Sequence, residues 1–249
     1  LNGKMTAMRR FSAARVSLDD VRQVCDAFDV TVNDVALAAL TEGYRDMLVR
    51  RGERPLPESL RALVPVSIRT TDALDKTDNR VSVMLPYLPV EEENPLLRLR
   101  MVHSRLTRTK STGQRQAGSA FVSAANHLPF ALTAWAVRLL TRLPQHGVTT
   151  LTTNVPGPSE ALHVMGRKVI GVLPVPPIAL QLRSGVAMLS YADHLYFGIL
   201  ADFDTMPDVD EFSRSVETAV ARLVATSKRR HASREANRQR RGLSLVATG

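Results

Sequence analysis

The stretch VAMLSYADHLYFGILA, residues 186–201, decides the fold. Apolar and small residues alternate with period two from Val186 to Tyr191 and again from Leu195 to Ala201, and Ala192-Asp193-His194 supplies turn chemistry between them. Such a pattern is a β-hairpin. Working upstream, Val148 to Val155 and Val164 to Val175 carry the same period, set off by Pro156-Gly157-Pro158 and by Pro174-Val175-Pro176-Pro177. These four runs are predicted to be strands of one sheet. Downstream, Val209, Phe212, Val216, Val220 and Leu223 share one face of a helix that follows Pro207.

The first half of the chain adds helices and two more strands. Ser17 before Asp19 and Asp20 has the form of an N-cap with acids in the first turn, which predicts a short helix to about Phe28. Thr31 repeats the signal with Asp34 at the third helical position. Val32, Val35, Ala36, Ala39, Leu40, Gly43 and Met47 recur behind it at helical spacing, to about Gly52. Leu60 to Arg69 alternates as a strand, which Pro65 assigns to an edge or a bulge. Asn79 to Val90 is a further strand. Asn94-Pro95 opens a helix with Leu96, Leu99, Val102 and Leu106 inward and Arg98, Arg100, Arg105, Arg108 and Lys110 outward. The order predicts one α/β (α+β) sandwich, a mixed sheet flanked by helices.

Composition narrows the function. The formal charge is +9, but Lys228 to Arg241 holds seven basic residues against one acid, leaving the remaining residues at only +3. A domain of residues 1–229 is expected, followed by a basic, flexible tail of 230–249 whose few apolar residues give it little to bury. With 5% aromatics and no basic reader motif, nucleic acid is not an expected partner. A lone cysteine, Cys25, excludes an internal disulfide and a CxxC metal or redox site. Gln116 to Val137 lacks charge, yet Asn126, His127 and Pro129 interrupt it, which favours two buried or interfacial helices flanking the proline over a membrane span. Leu1 to Arg10 has no apolar core of a signal peptide.

No HExxH, GxGxxG, Walker or GxSxG run occurs, and the six histidines are isolated. Four stretches carry polar groups of interest. Asn33-Asp34 sits at the mouth of an apolar helix, where a cap is the plain reading. Arg69 closes an apolar strand, where it is either solvated or free to hold a buried carboxylate. Thr152, Thr153 and Asn154 end a hydroxyl-rich strand before the turn at Pro156 and Gly157. Those groups either stabilise an oxyanion or simply favour a strand. The fourth, residues 188–198, is an ordinary hairpin.

Taken in order, TVNDVALAAL (31–40), LVPVSIRT (63–70), DNRVSVMLPYLPV (78–90), TTNVPGP (152–158) and LSYADHLYFGILAD (189–202) resemble the C-terminal half of the bacterial wax ester synthase/diacylglycerol acyltransferase family, from about Arg9 to Lys228. The run looks especially like the mycobacterial triacylglycerol synthases. The resemblance implies a chloramphenicol-acetyltransferase-like, CoA-dependent fold of two domains with the active site at their junction. It also implies a general-base histidine in an HHxxxDG motif. These residues hold no such motif, so that half is expected upstream of Leu1 or on a separate chain.

By the same resemblance, Asn33 and Asp34 match the family's ND motif, and Arg69 matches an arginine that supports the histidine loop. Thr152, Thr153 and Asn154 fall where related acyltransferases place oxyanion donors, with Thr153 departing from the more usual serine. The implied reaction passes a long-chain acyl group from acyl-CoA, a substrate, to diacylglycerol, with no metal and no cofactor. The implied partners are the HHxxxDG-bearing half and the surface of a membrane or lipid droplet, in a cytoplasmic, peripherally associated protein. Phe121 to Leu140 and the basic tail are candidates for that surface contact. A fatty-alcohol acceptor and a noncatalytic lipid-binding or scaffolding role are the alternatives.

Overall fold

The computed structural model describes residues 2–67, 81–111, 147–178 and 181–246. Their elements are β1 (Arg9–Ser17), α1 (Leu18–Phe28), α2 (Val32–Arg50), β2 (Ala62–Ser67), β3 (Val81–Met84), α3 (Pro95–Ser111), β4 (Thr150–Val155), β5 (His163–Val164), β6 (Arg167–Lys168), β7 (Ser184–Tyr191), β8 (His194–Asp202) and α4 (Val209–Val246). Six strands form one mixed sheet in the order β1-β8-β7-β4-β2-β3, and β5 with β6 makes a separate small hairpin. Strands β2, β4 and β7 are parallel, while β7/β8, β8/β1 and β2/β3 are antiparallel. This is the predicted mixed sheet flanked by helices.

Burial alternates along β2 and most of β4, while β7 and β8 are buried on both faces, and the main core lies on the helix side. Ala62, Val64, Val186, Met188, Phe197, Ile199, Ala14 and Val16 meet α1 to α4 in one continuous hydrophobic cluster. The α4 positions Val209, Phe212, Val216, Val220 and Leu223 are all buried there, as their spacing requires. Gly43 of α2 lets α4 come close, since a β-carbon at that position would sit 3.1 Å from the ring of Phe212.

The structure corrects several expectations. Strand β1 is an edge strand that residues 9–17 do not advertise. The run Val164–Val175 is no long strand. Only His163–Val164 and Arg167–Lys168 pair, turning at Met165 and Gly166, both of positive φ, and 169–178 is extended without a ladder partner. Pro174, Pro176 and Pro177 remove the donors that a ladder needs.

β2 lies between β4 and β3 and is no edge, yet its pairing with β4 stops at Leu63, so Pro65 stands where only β3 remains. Arg98 is buried rather than outward, for reasons given below. The basic segment expected to be a flexible tail is helical through Val246. A helix satisfies its own backbone, and the Arg and Ala residues of 228–241 are good helix formers. Arg69 and the segments 116–140 and 247–249 lie outside the described residues. No helix among the described residues is long and apolar enough to cross a membrane.

Candidate active site

Chain direction brings the polar stretches to one end of the sandwich. On β1, Ser12 meets Ser213 and Arg15 meets Glu217, so α4 runs with β1 and therefore with β4 and β7. Arg51, just past α2, pairs with Asp208, while Glu42 reaches Arg222, so α2 runs against α4. The first residues of α2 thus lie at the end toward which the parallel strands β2, β4 and β7 point. Ligands of open sheets with parallel strands gather at that carboxyl end.

At the start of α2, Thr31 and Asp34 form a complete capping box. The Thr31 N–H and Oγ1 each donate to Asp34 Oδ2 at 2.8 Å, and Thr31 Oγ1 accepts from the Asp34 N–H at 3.2 Å. The plain reading of Asp34 is therefore correct, but it is incomplete. The same Oδ2 lies 2.9 Å from His103 Nδ1 on α3. A carboxylate only accepts, so Nδ1 carries the proton on a half-exposed ring. Asp34 is itself buried, and Asn33 beside it is half-buried with no side-chain partner among the described residues. Nearby, burial raises the Cys25 thiol to about 11, with the charges of Asp26 and Asp34 adding to the effect. That thiol is no nucleophile at neutral pH.

β4 splits the three candidate donors between two faces. Thr150 and Thr152 turn toward the helices and are fully buried, Leu151 and Thr153 turn to the opposite face, and Asn154 is partly exposed at the strand end. Thr150 belongs to a closed hydroxyl relay. Tyr44 donates to Thr150 Oγ1 at 2.7 Å and meets Ser184 Oγ at 2.8 Å, and Thr150 Oγ1 donates to the Ser184 carbonyl at 3.3 Å. Burial pushes the Tyr44 phenol upward, so it stays neutral. Thr152 Oγ1 is also buried but has no hydrogen-bond partner among the described residues. The strand therefore does not present Thr152, Thr153 and Asn154 as one row; the partly exposed groups are Thr153 on one face and Asn154 on the other.

The Pro156-Gly157 turn is fixed against β7. The Gly157 N–H donates to Ser190 Oγ at 3.0 Å, and a β-carbon at 157 would fall 2.1 Å from the Ser190 carbonyl. Only glycine fits there.

Two buried clamps hold the frame, and neither is visible in sequence. Glu42 on α2 takes Arg98 Nη1 of α3 at 2.6 Å and also pairs with Arg222 of α4, while Arg98 donates to the carbonyls of Glu92 and Glu93. This explains the inward arginine: its charge meets Glu42 and each of its three nitrogens has an acceptor. Asp202, at the end of β8, is fully buried. Burial works against its charge, but hydrogen bonds from Thr205 and Thr6 outweigh that and hold it at about 2. His103 was missed because the residue it meets is 69 positions away. A groove of about 480 Å³ on the outward side of α3, with Arg100, Arg105 and Arg108 in its wall, includes none of the strand-end residues.

Comparison with known proteins places this geometry. The family described as WS/DGAT C-terminal domain matches residues 77–223, and the wax ester synthase/diacylglycerol acyltransferase catalytic domain matches residues 1–36. A probable diacylglycerol O-acyltransferase, tgs1, of Mycobacterium tuberculosis is 63% identical over 246 residues, 99% of this chain and 52% of that protein. A wax ester synthase/diacylglycerol acyltransferase from Marinobacter aquaeolei VT8 superimposes with a TM-score of 0.70 at 28% identity, over 92% of this chain and 51% of that one. The epimerization domain of tyrocidine synthetase B shares the fold alone, at a TM-score of 0.53 and 11% identity. The chain spans about half the length of the curated relatives it matches. It belongs to the wax ester synthase/diacylglycerol acyltransferase family, whose C-terminal domain it carries.

Proposed function

We propose that this chain forms the C-terminal half of a diacylglycerol O-acyltransferase that moves a long-chain acyl group from acyl-CoA to diacylglycerol, giving triacylglycerol. One observation carries the reading: the 63% identity over nearly the whole chain to a relative of that name. In this scheme a histidine of the catalytic-domain half takes the proton of the diacylglycerol hydroxyl as its oxygen attacks the thioester carbon. The tetrahedral oxyanion collapses, the carbon–sulfur bond breaks, and the CoA thiolate leaves with the proton. A thioester is already activated, so acyl-CoA enters as substrate and the scheme includes neither a metal nor a cofactor.

This chain's own contribution is a wall of donors. Either Asn154 Nδ2, on the helix side of the end of β4, or Thr153 Oγ1, on its other face, meets the developing oxyanion, a donor worth about 2.7–4 kcal/mol in a preorganised hole. Asn33 and the Asp34–His103 pair stand at the same end, and Arg69 supports the histidine loop of the other half. The lipid substrates imply a peripheral, cytoplasmic enzyme at a membrane or lipid droplet. The cations on the last turns of α4 suit anionic headgroups, and Phe121 to Leu140 is the second contact.

The test mixes this chain with a catalytic-domain half and follows labelled palmitoyl-CoA into triacylglycerol. Transfer by the mixture and by neither part alone is expected, and Asn154→Ala should lower turnover at least tenfold. Near-normal turnover of a folded Asn154→Ala protein removes that residue from the site, and no transfer by a stable mixture refutes the function.

A further inference from the structure

Asn33 and Asn154, far apart in sequence, come to the same level of the helix–sheet sandwich. Asn33, Leu37, Leu40 and Tyr44 recur at i, i+4, i+7 and i+11, one stripe of α2. Tyr44, at the far end of that stripe, touches Thr150 of β4 and Ser184 of β7, and Leu37 and Leu40 between are fully buried, so this stripe lies on the sheet. On β4, Thr150, Thr152 and Asn154 share the face that meets the helices. From Tyr44 back to Asn33 is about 16 Å along the helix, and from Thr150 forward to Asn154 is about 13 Å along the strand. Because α2 runs against β4, both paths lead to the carboxyl end of the parallel strands. Asn33 on α2 and Asn154 on β4 therefore face each other across the helix–sheet gap, level to within about one helical turn.

Both amides are only partly buried, and neither has a side-chain partner among the described residues. Thr152, one step deeper on the same strand face, is fully buried with its hydroxyl unpartnered. Polar groups so placed ordinarily find a hydrogen-bond partner, so this gap lacks an acceptor that a ligand can bring. The electrostatics favour an acceptor that gains negative charge. Asp34 lies about 100° around α2 from Asn33, on the α3 side. Its Oδ2 already takes the Thr31 N–H, the Thr31 hydroxyl and His103 Nδ1. What remains at the start of α2 is the positive end of a 19-residue helix.

We propose that Asn33 Nδ2 and Asn154 Nδ2 are the paired donors that hold the thioester oxygen during acyl transfer. The inference rests on the function proposed above, and it decides between the two donors named there in favour of Asn154. As the diacylglycerol oxygen bonds to the thioester carbon, the π pair of the carbonyl moves onto its oxygen, and both amides donate to it there. The pair returns as the carbon–sulfur bond breaks and the CoA thiolate takes the proton from the histidine. Thr153, on the opposite face of β4, cannot share an oxygen with Asn33 across this gap. The bonds of Asp34 to Thr31 and His103 are positioning contacts: they pin the turn that carries Asn33 against α3.

The experiment measures kcat and KM for palmitoyl-CoA with both halves of the enzyme present, comparing the parent with Asn33→Ala, Asn33→Asp and Thr153→Ala. Asn33→Ala should lower kcat at least tenfold and leave KM within about threefold, because the bond forms only in the transition state. Aspartate in the first turn suits the helix dipole, so Asn33→Asp should keep or raise the thermal midpoint while turnover falls at least as far. If Asn33 served the fold alone, turnover would follow the midpoint instead. A loss of kcat below tenfold in Asn33→Ala, a loss confined to KM, or an active Asn33→Asp overturns the pairing. So does a larger loss in Thr153→Ala than in Asn33→Ala. Transfer to diacylglycerol that ignores Asn33 would refute the pairing and keep the function; transfer to hexadecanol but not to diacylglycerol, with the same loss in Asn33→Ala, would do the reverse.

Discussion

Thr152→Val tests the face assignment of β4 directly. The Thr152 hydroxyl is buried among the helix-facing side chains without a partner among the described residues. An orphaned polar group of that kind costs about 1–3 kcal/mol of desolvation with no hydrogen bond in return. Valine keeps the β-branched shape that the strand accepts and replaces the hydroxyl with a methyl group. The substitution should therefore stabilise the fold by about 1–3 kcal/mol, a rise in Tm of roughly 2–12 °C for a body of this size. Thr150→Val, two residues earlier on the same face, should act oppositely, because it leaves the Tyr44 hydroxyl only Ser184 Oγ and removes the Thr150 donor to the Ser184 carbonyl. Scanning calorimetry of the three proteins measures both effects. If Thr152→Val lowers Tm, its hydroxyl has a partner and the reasoning fails. If it also abolishes acyl transfer while the fold survives, the donor is Thr152 and not Thr153.

Arg98→Met leaves Glu42 buried with only the more exposed Arg222, and should cost about 3–5 kcal/mol, seen as a large drop in thermal midpoint. Adding Glu42→Leu should recover most of that loss; a double variant as unstable as the single would contradict the clamp. For Asp202, a carboxyl held at about 2 against an ordinary 3.8 binds its proton more weakly in the folded chain than in the unfolded one. Its contribution is complete above about pH 4 and drains away as pH falls toward 2. Thermal midpoints between pH 5 and 2 should fall less steeply in Asp202→Asn than in the parent, and parallel slopes would disprove the assignment.

Where local pattern and burial agree, the sequence reads well. The hairpin of 186–201, the Thr31–Asp34 box and the apolar stripe of α4 were all legible, because each obeys a short-range rule of spacing. The failures have physical causes too. β1 was invisible because its partner is β8, almost two hundred residues away, and FSAARV carries little β-branched signal of its own. The 164–175 run alternated convincingly, but its prolines forbid a ladder and its apolar side chains point outward. At the site, the strand-end position of Thr153 and Asn154 was legible and the parity that turns Thr152 inward was not weighed. His103, Tyr44 and Arg98 owe their partners to helix packing, which no spacing rule records.

The edge strand also bears on how such proteins can be divided. By sequence family, residues 1–36 belong with the catalytic domain and 77–223 with the C-terminal one. In space, β1 completes the sheet of the second through nine register pairs with β8, and α1 packs on α4. A protein trimmed to start at the C-terminal family boundary would lose the border strand β1, both leading helices and the interior strand β2. It would leave β8 with an unprotected row of backbone donors and acceptors, an invitation to aggregate. The severable unit begins before Arg9, well upstream of residue 77 where the C-terminal family match starts.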